Sequence, residues 1–425
     1  MDRAAEPRAD RERGREVTGV DVERRRPLVR FDHHSPEFAS DPWSQLRELR
    51  ESAPVAFSDA HGGFWVLTRY EDIRRVALDD ATFSSADSIV IPPKKHAGQR
   101  SIPIETDPPI FYEYRRAMAP MFAPHSIERL DPIIEAFVDR SIDEFIERGE
   151  ADLVHDLAHP VPALTTLHKL GLPTDDWRRF AEPLHNTVYL RQDNPERPAA
   201  LAGLRVIREE LVAAVTARRA HPRDDMLTYL IGCEVEGRPL NDTEVVDMAS
   251  LTLQGGLDTT ASAIGSALVF LDRDRDARQR LIDHPELLPS AVEEFLRYEA
   301  PQLALARTAT RDVEIGGQVI RSGERVLMVW ASGNRDPAAF EDADQVLLDR
   351  SPNRHMTFGL GAHRCLGSTL ARRELLFTLR AVLHRLADYE LDPALIVRAE
   401  TVGVSYGYLS LPAHFTPGAR FRQPT

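Results

Sequence analysis

FGLGAHRCLGSTLARRE, residues 358–374, is the stretch on which the reading of this chain turns, and it holds Cys365, one of only two cysteines in 425 residues. Gly359 and Gly361 stand just ahead of the cysteine, where a loop can take positive φ angles or approach a flat ligand closely. Behind it Leu366, Leu370, Leu376, Leu379, Val382, Leu383 and Leu386 recur at helical spacing, so a loop becomes a buried helix at Cys365. A helix start offers unpaired N–H groups and the positive end of a dipole, and both lower a thiol's pKa. The thiolate expected there is a nucleophile or a metal ligand. A lone cysteine is more often a small buried hydrophobe, but the flanking glycines make room for something wide, and Arg364, Arg372 and Arg373 crowd the sulfur. Cys233 lies too far off for C-x-x-C spacing, which disfavours structural zinc, and Gly359-x-Gly361 lacks the spacing of a dinucleotide loop.

The rest of the composition narrows the class. With 42% hydrophobic residues the chain can bury a large core, and no Gly/Ser linker or repeat divides it. A net charge of −14 argues against a general nucleic-acid binder. No apolar run approaches a membrane span, and residues 1–30 form a charged tail with no apolar core, unlike a secretory signal. Two distant cysteines suit a reducing compartment, so a cytoplasmic location is expected. After the tail, a helix is expected from Asp41-Pro42, a hairpin around His61-Gly62-Gly63, and a long unpatterned loop, 84–103, that includes Lys94 and Lys95. The middle of the chain reads as helices over 126–148, 177–189 and 199–220.

Asn241 and Glu244 form a capping-box pattern from which one helix is expected to run to about residue 270, roughly 45 Å at 1.5 Å per residue. Its middle reads Gly255-Gly256-Leu257-Asp258-Thr259-Thr260. Two glycines inside a helix cost about 1 kcal/mol each against alanine, so either close helix packing or a flat ligand must account for them. Asp258 and Thr259 place a carboxylate and a hydroxyl in an apolar stretch, where buried polar groups need partners. Thr259 bonding back to a carbonyl one turn earlier is the plain alternative.

Residues 358–367 resemble the haem-binding loop of the cytochrome P450 superfamily, F-G-x-G-x-H/R-x-C-x-G, read here onto Phe358, Gly359, Gly361, Arg364, Cys365 and Gly367. The resemblance implies a mainly α fold with small β-sheets, a single-domain cytochrome P450 fold over 31–425, and haem-thiolate monooxygenase activity. Cys365 is then the ligand to the iron of haem b (iron protoporphyrin IX), held without covalent attachment since no C-x-x-C-H occurs. Gly255 to Thr260 resembles the family's oxygen-activation motif, in which Asp258 and Thr259 handle protons. Arg115, in the family's propionate-binding position four after Phe111, and Arg307 and His355 would neutralise the haem propionates; Phe111 departs from the usual His or Trp. Glu294 and Arg297 match the family's E-x-x-R, joined by Arg350, in a structural role. Ser290 and Glu293 form a second capping-box pattern, and Ala343 departs from a proline in the acidic stretch beyond.

By register with the family, Leu251, Gln254, Gly255, Leu303, Leu305, Val404 and Ser405 line the substrate pocket, a mainly apolar set that implies a mainly apolar small molecule. The helices 177–189 and 199–220 become the roof of that pocket. A last hairpin is expected over 404–411. With no reductase domain after Cys365, electrons would come from a separate ferredoxin meeting a basic face of Arg116, Arg364 and Arg372, and a monomer is expected. The competing readings are a haem-binding sensor or carrier, which would not need Asp258 and Thr259, and a peroxide-driven peroxygenase.

Overall fold

The computed structural model describes residues 26–93, 101–191, 193–403 and 405–421. Most of the tail, the lysines Lys94 and Lys95, and Val404 therefore lie outside the described residues.

One six-stranded sheet stands at one side of a mainly helical body. Val55–Ser58 and Phe64–Leu67 form the expected hairpin. Phe64–Leu67 then pairs in parallel with Arg325–Met328, which pairs antiparallel with Leu305–Ala309. Leu28–Val29 and Phe83–Ser84 close the two edges. All four residues of Phe64–Leu67 are buried, so this strand has no polar face and reads as a continuous apolar run. The strand Leu305–Ala309 matters for function because it brings Arg307 into the interior.

Helix Asp258–Arg273 is the axis of the helical body, buried on nearly every side. Ser368–Arg385, the helix that follows Cys365, packs against it and against Asp131–Asp143. The amphipathic helices Trp177–Tyr189 and Arg197–Ala220 lie together and cover Asp242–Gly256.

The single long helix expected from residue 241 to 270 is two helices, Asp242–Gly256 and Asp258–Arg273, joined at Leu257. Its capping box at Asn241 and Glu244 is present in full. The two glycines explain the break and divide the roles that the sequence left open. A Cβ at Gly256 would fall 2.6 Å from Thr166 Oγ1, so that glycine serves close helix packing. A Cβ at Gly255 would meet no atom within 4 Å, so that glycine faces open space.

Other expectations need correction. The segment 126–148 is split into Pro124–Glu128 and Asp131–Asp143, the second with Pro132 in its first turn, where a missing N–H is tolerated. Ser290 does not cap a helix: Leu288–Tyr298 already includes it, and its hydroxyl donates to the carbonyls of Leu287 and Leu348. The final strands do not pair with each other. Tyr408–Ser410 pairs with Val397–Arg398, and Pro412–His414 bridges Glu390–Leu391 and Glu150–Asp152.

Candidate active site

The loop that carries Cys365 is tied to itself by two backbone bonds, Gly359 N–H to Met356 O at 2.8 Å and Cys365 N–H to Phe358 O at 2.8 Å. Gly359 and Gly361 have φ of +67° and +66°. At Gly361 a side chain would also strike the carbonyl of Ala77, 2.7 Å from its Cβ position. Cys365 is exposed by surface area, yet protein encloses it closely enough that burial pushes its thiol above the usual 9.0. The N–H of Gly367 and the charges of Arg115, Arg364 and Arg372 pull the other way without overcoming that burial. A thiol both open and poorly solvated faces an enclosed cleft. The sequence-based expectation of a lowered thiol pKa is thus reversed: dehydration outweighs the helix start, and ionisation waits for a cation to replace the proton.

Gln254 and Gly255, at the end of helix Asp242–Gly256, are exposed as well, and the Gln254 side chain makes no hydrogen bond among the described residues.

Basic groups gather at the rim with no ion pair to an acid among the described residues. Arg115 projects from Ile110–Met118 and lies 5.8 Å from the centre of the Phe111 ring, with no ion pair among the described residues. Burial lowers its pKa. Arg307 is 5% exposed, donates among the described residues only to the carbonyl of Ala306 at 2.8 Å, and is pushed by burial down to about 10. His363 completes the group. Its ring lies 4.1 Å from that of Phe111, its Nε2 is 3.1 Å from Ser85 Oγ, and its Nδ1 is buried with no partner. Burial, then the charges of Arg307 and Arg115, hold its pKa down at about 3. Asp107 is the acid whose charge acts on Arg307, and it is taken up by Ser84 and Ser85; two arginines and a dehydrated histidine with no ion pair among the described residues suit anionic groups.

His363 is the residue that sequence reasoning missed. In the pattern the basic position lies two before the cysteine, which is His363; Arg364 was assigned to it in error. His355, expected at the rim, is engaged elsewhere. Its Nε2 is 3.1 Å from Glu293, whose carboxylate is also held by Arg372 at 2.5 and 2.8 Å. Burial pushes Glu293 up, but the bonds from His355 and Arg372 outweigh it and hold the carboxyl down at about 2. This pairing also removes Arg372 from the expected basic face. Its guanidinium sits 4.4 Å over the ring of Phe358. Arg116 pairs with Glu113 at the surface, while Arg364 is exposed and without an ion pair among the described residues.

Asp258, the first residue of the axial helix, is 5% exposed. One oxygen is 3.1 Å from His185 Nδ1 and the other, Oδ2, is buried with no partner. Thr259 donates to the carbonyl of Gly255 at 3.0 Å, the plain alternative weighed above. Its oxygen lone pairs stay free to accept.

The expected pocket residues divide. Leu251 is half-buried near the cleft, whereas Leu303 and Leu305 are 3% and 9% exposed and belong to the apolar clusters beside the sheet. Ser405 is closed into a network with Tyr189, Ser262 and the carbonyl of Pro301, so its hydroxyl is not available to a ligand.

Glu294 and Arg297 are fully buried and joined by bonds of 2.7 and 2.8 Å. Arg297 also donates to the carbonyls of Asn334, Ala343 and Gln345. Because a backbone carbonyl is used at 343, alanine serves there as well as proline would. Arg350 Nε reaches both oxygens of Glu294 at 3.0 Å.

Comparison with known proteins shows the family. Residues 204–393 match the family model described as Cytochrome P450. Linalool 8-monooxygenase of Pseudomonas putida is 32% identical over 388 residues, covering 86% of this chain and 94% of that protein. The steroid C26-monooxygenase of Mycolicibacterium smegmatis is 32% identical over 378 residues, covering 88% and 92%. Cytochrome P450 CYP268A2 of Mycobacterium marinum, solved in complex with pseudoionone, superposes with a TM-score of 0.84 at 29% identity, covering 92% of this chain and 99% of that one.

The family's haem suits the residues present. It needs a thiol opening onto a cleft, a face with no side chain in the way, and cations for two carboxylates; Cys365, Gly255 and the group of Arg115, Arg307 and His363 provide them. With this cleft and these relatives, the chain belongs to the cytochrome P450 superfamily and is a haem-dependent monooxygenase.

Proposed function

We propose that the chain hydroxylates a mainly apolar small molecule, with Cys365 as the thiolate ligand of haem b. The observation that carries this is the thiol of Cys365 opening onto an enclosed cleft whose rim holds Arg115, Arg307 and His363 with no ion pair among the described residues. When bound, the haem supplies the activation of dioxygen, which its thiolate ligand favours. Cys365 gives up its proton on binding iron, and the N–H of Gly367, placed to donate to the sulfur, tempers the negative charge. Arg115, Arg307 and His363 take the propionates, and Phe111 packs against His363 to hold its ring. Phe358 and Gly359 shape the loop under the ring, and Gly255 leaves the opposite face clear.

Asp258 passes protons at Oδ2, which has no partner among the described residues, with Oδ1 steadied by His185. Thr259, anchored by its bond to the Gly255 carbonyl, accepts from a water or oxygen in the cleft. This pair favours dioxygen over peroxide as oxidant, since peroxide needs no proton supply of this kind. Leu251 and the roof helices exclude water from the substrate, and Gln254 offers it one hydrogen bond. The apolar character also fits linalool 8-monooxygenase and the steroid C26-monooxygenase, whose names specify apolar substrates.

Electrons come from a separate ferredoxin docking near Arg116 and Arg364. No described helix is long and apolar enough to cross a membrane. A screen of terpenoids and steroids for haem spin-state shifts, followed by turnover with a surrogate ferredoxin, tests the proposal. Hydroxylated product formed with dioxygen and reductant supports it; product from peroxide alone counts against it. Charge reversal at Arg116 and Arg364 should slow reduction, and unchanged rates would remove the docking face.

A further inference from the structure

Beyond the haem cleft, three elements bring two imidazoles and a carboxylate to one point. His159 precedes helix Pro160–Leu170, His185 lies in the roof helix Trp177–Tyr189, and Asp258 opens the axial helix. Their ligating atoms all lie within 4.8 Å of one another. The rings of His159 and His185 are 4.3 Å apart, and exposed His155 stands on the surface side, its ring 5.9 Å from that of His159.

Hydrogen bonding inside the protein does not satisfy this cluster. The bond between His185 Nδ1 and Asp258 Oδ1 at 3.1 Å uses one carboxylate oxygen. Asp258 Oδ2 remains buried without a partner, and the ring of His159 makes no hydrogen bond among the described residues. A buried acceptor left in that state is costly, and here a second imidazole stands beside it with a free lone pair.

We propose that His159, His185 and Asp258 form a binding site for one divalent transition-metal ion, with zinc the best match. Imidazole with carboxylate is a donor set that zinc accepts, with bonds of about 2.0–2.2 Å. Ligand atoms around a tetrahedral ion then stand roughly 3.3 Å apart. The 3.1 Å between His185 and Asp258 already matches that edge, and side-chain rotation brings His159 in from its present distance. His155 guards the surface end, and water fills the remaining position. A bound ion would pin the roof helix to the axial helix and withhold Asp258 from proton handling. That consequence for turnover rests on the role proposed for Asp258; the binding does not.

The test is a zinc titration of the tag-free, haem-loaded chain against a chromophoric chelator. One zinc per chain with a sub-micromolar dissociation constant is expected, weakened at least about tenfold in His159→Ala and in His185→Ala. The carbon monoxide spectrum shows that each variant keeps its folded haem site. Absence of a competing site, or a site that survives both substitutions unchanged, overturns the proposal. Zinc that binds as expected yet leaves turnover unaffected supports the site and speaks against Asp258 as the proton handler, so the two ideas fail separately.

Discussion

Replacing Glu294 with glutamine tests the buried knot beneath the haem loop more severely than its near-isosteric size suggests. Every group facing the carboxylate is a donor. One oxygen accepts from Arg297 Nη2 at 2.8 Å, Leu347 N at 2.9 Å and Arg350 Nε at 3.0 Å. The other accepts from Arg297 Nε at 2.7 Å, Arg350 Nε at 3.0 Å and Asn353 Nδ2 at 3.1 Å. Whichever way the amide turns, its NH2 meets donors, and Arg297, 0% exposed, loses its counter-charge. Breaking one side of a buried pair costs about 3–5 kcal/mol. For 425 residues the unfolding entropy is about 0.9 kcal/mol/K, so Tm should fall by roughly 3–6 °C. Arg350→Met leaves Glu294 its bonds from Arg297, Leu347 and Asn353, and should cost about 1–3 kcal/mol. Urea and thermal unfolding of the haem-loaded protein, followed by far-UV circular dichroism, measure both. A cost below about 1 kcal/mol for Glu294→Gln, or equal costs for the two variants, would refute the reasoning.

Further predictions concern the site. Glu293 has its folded pKa depressed from 4.5 to about 2, so its contribution to stability is complete above pH 4.5 and is lost as pH falls from there towards 2. Glu293→Gln should flatten the acid limb of the stability profile over that window, and an unchanged limb would contradict the assignment. Thr259→Ala should lower product formed per reductant consumed several-fold while dioxygen consumption continues, and Asp258→Asn should slow product formation by about 10²-fold; full coupling in both would remove their proposed role. Gly255→Val should leave the protein folded, because no protein atom obstructs its Cβ, yet weaken haem retention in a haem titration, because the branched side chain enters the face that the haem needs clear. Arg307→Leu should speed haem transfer to an acceptor globin at least about tenfold, since a buried cation with no ion pair among the described residues would no longer face the propionates.

The parts of the molecule legible in the sequence were those written in local spacing. The loop around Cys365, the helix after it, the Asn241 capping box and the hairpin at His61 all depend on neighbours within a few residues. What the sequence concealed depends on packing across the chain. Nothing local separates Gly255 from Gly256, but Thr166 from another helix fills the space beside one and leaves the other open. His355 and His363 are both histidines ahead of the cysteine, and only the position of Glu293 shows why the first is occupied. Closer attention to the two-residue offset would have found His363. The thiol's raised pKa was likewise invisible, because dehydration is set by what encloses Cys365 and not by its place at a helix start. Ser405 reads as a pocket hydroxyl until Tyr189 and Ser262 are seen to close around it.

The central claim is that Cys365 is the thiolate ligand of the haem, and the reduced carbon monoxide complex reports it directly. Wild-type protein should give the red-shifted thiolate-type Soret band, and Cys365→Ala should lose that band while far-UV circular dichroism shows the fold retained. A thiolate-type band persisting in Cys365→Ala would contradict the account.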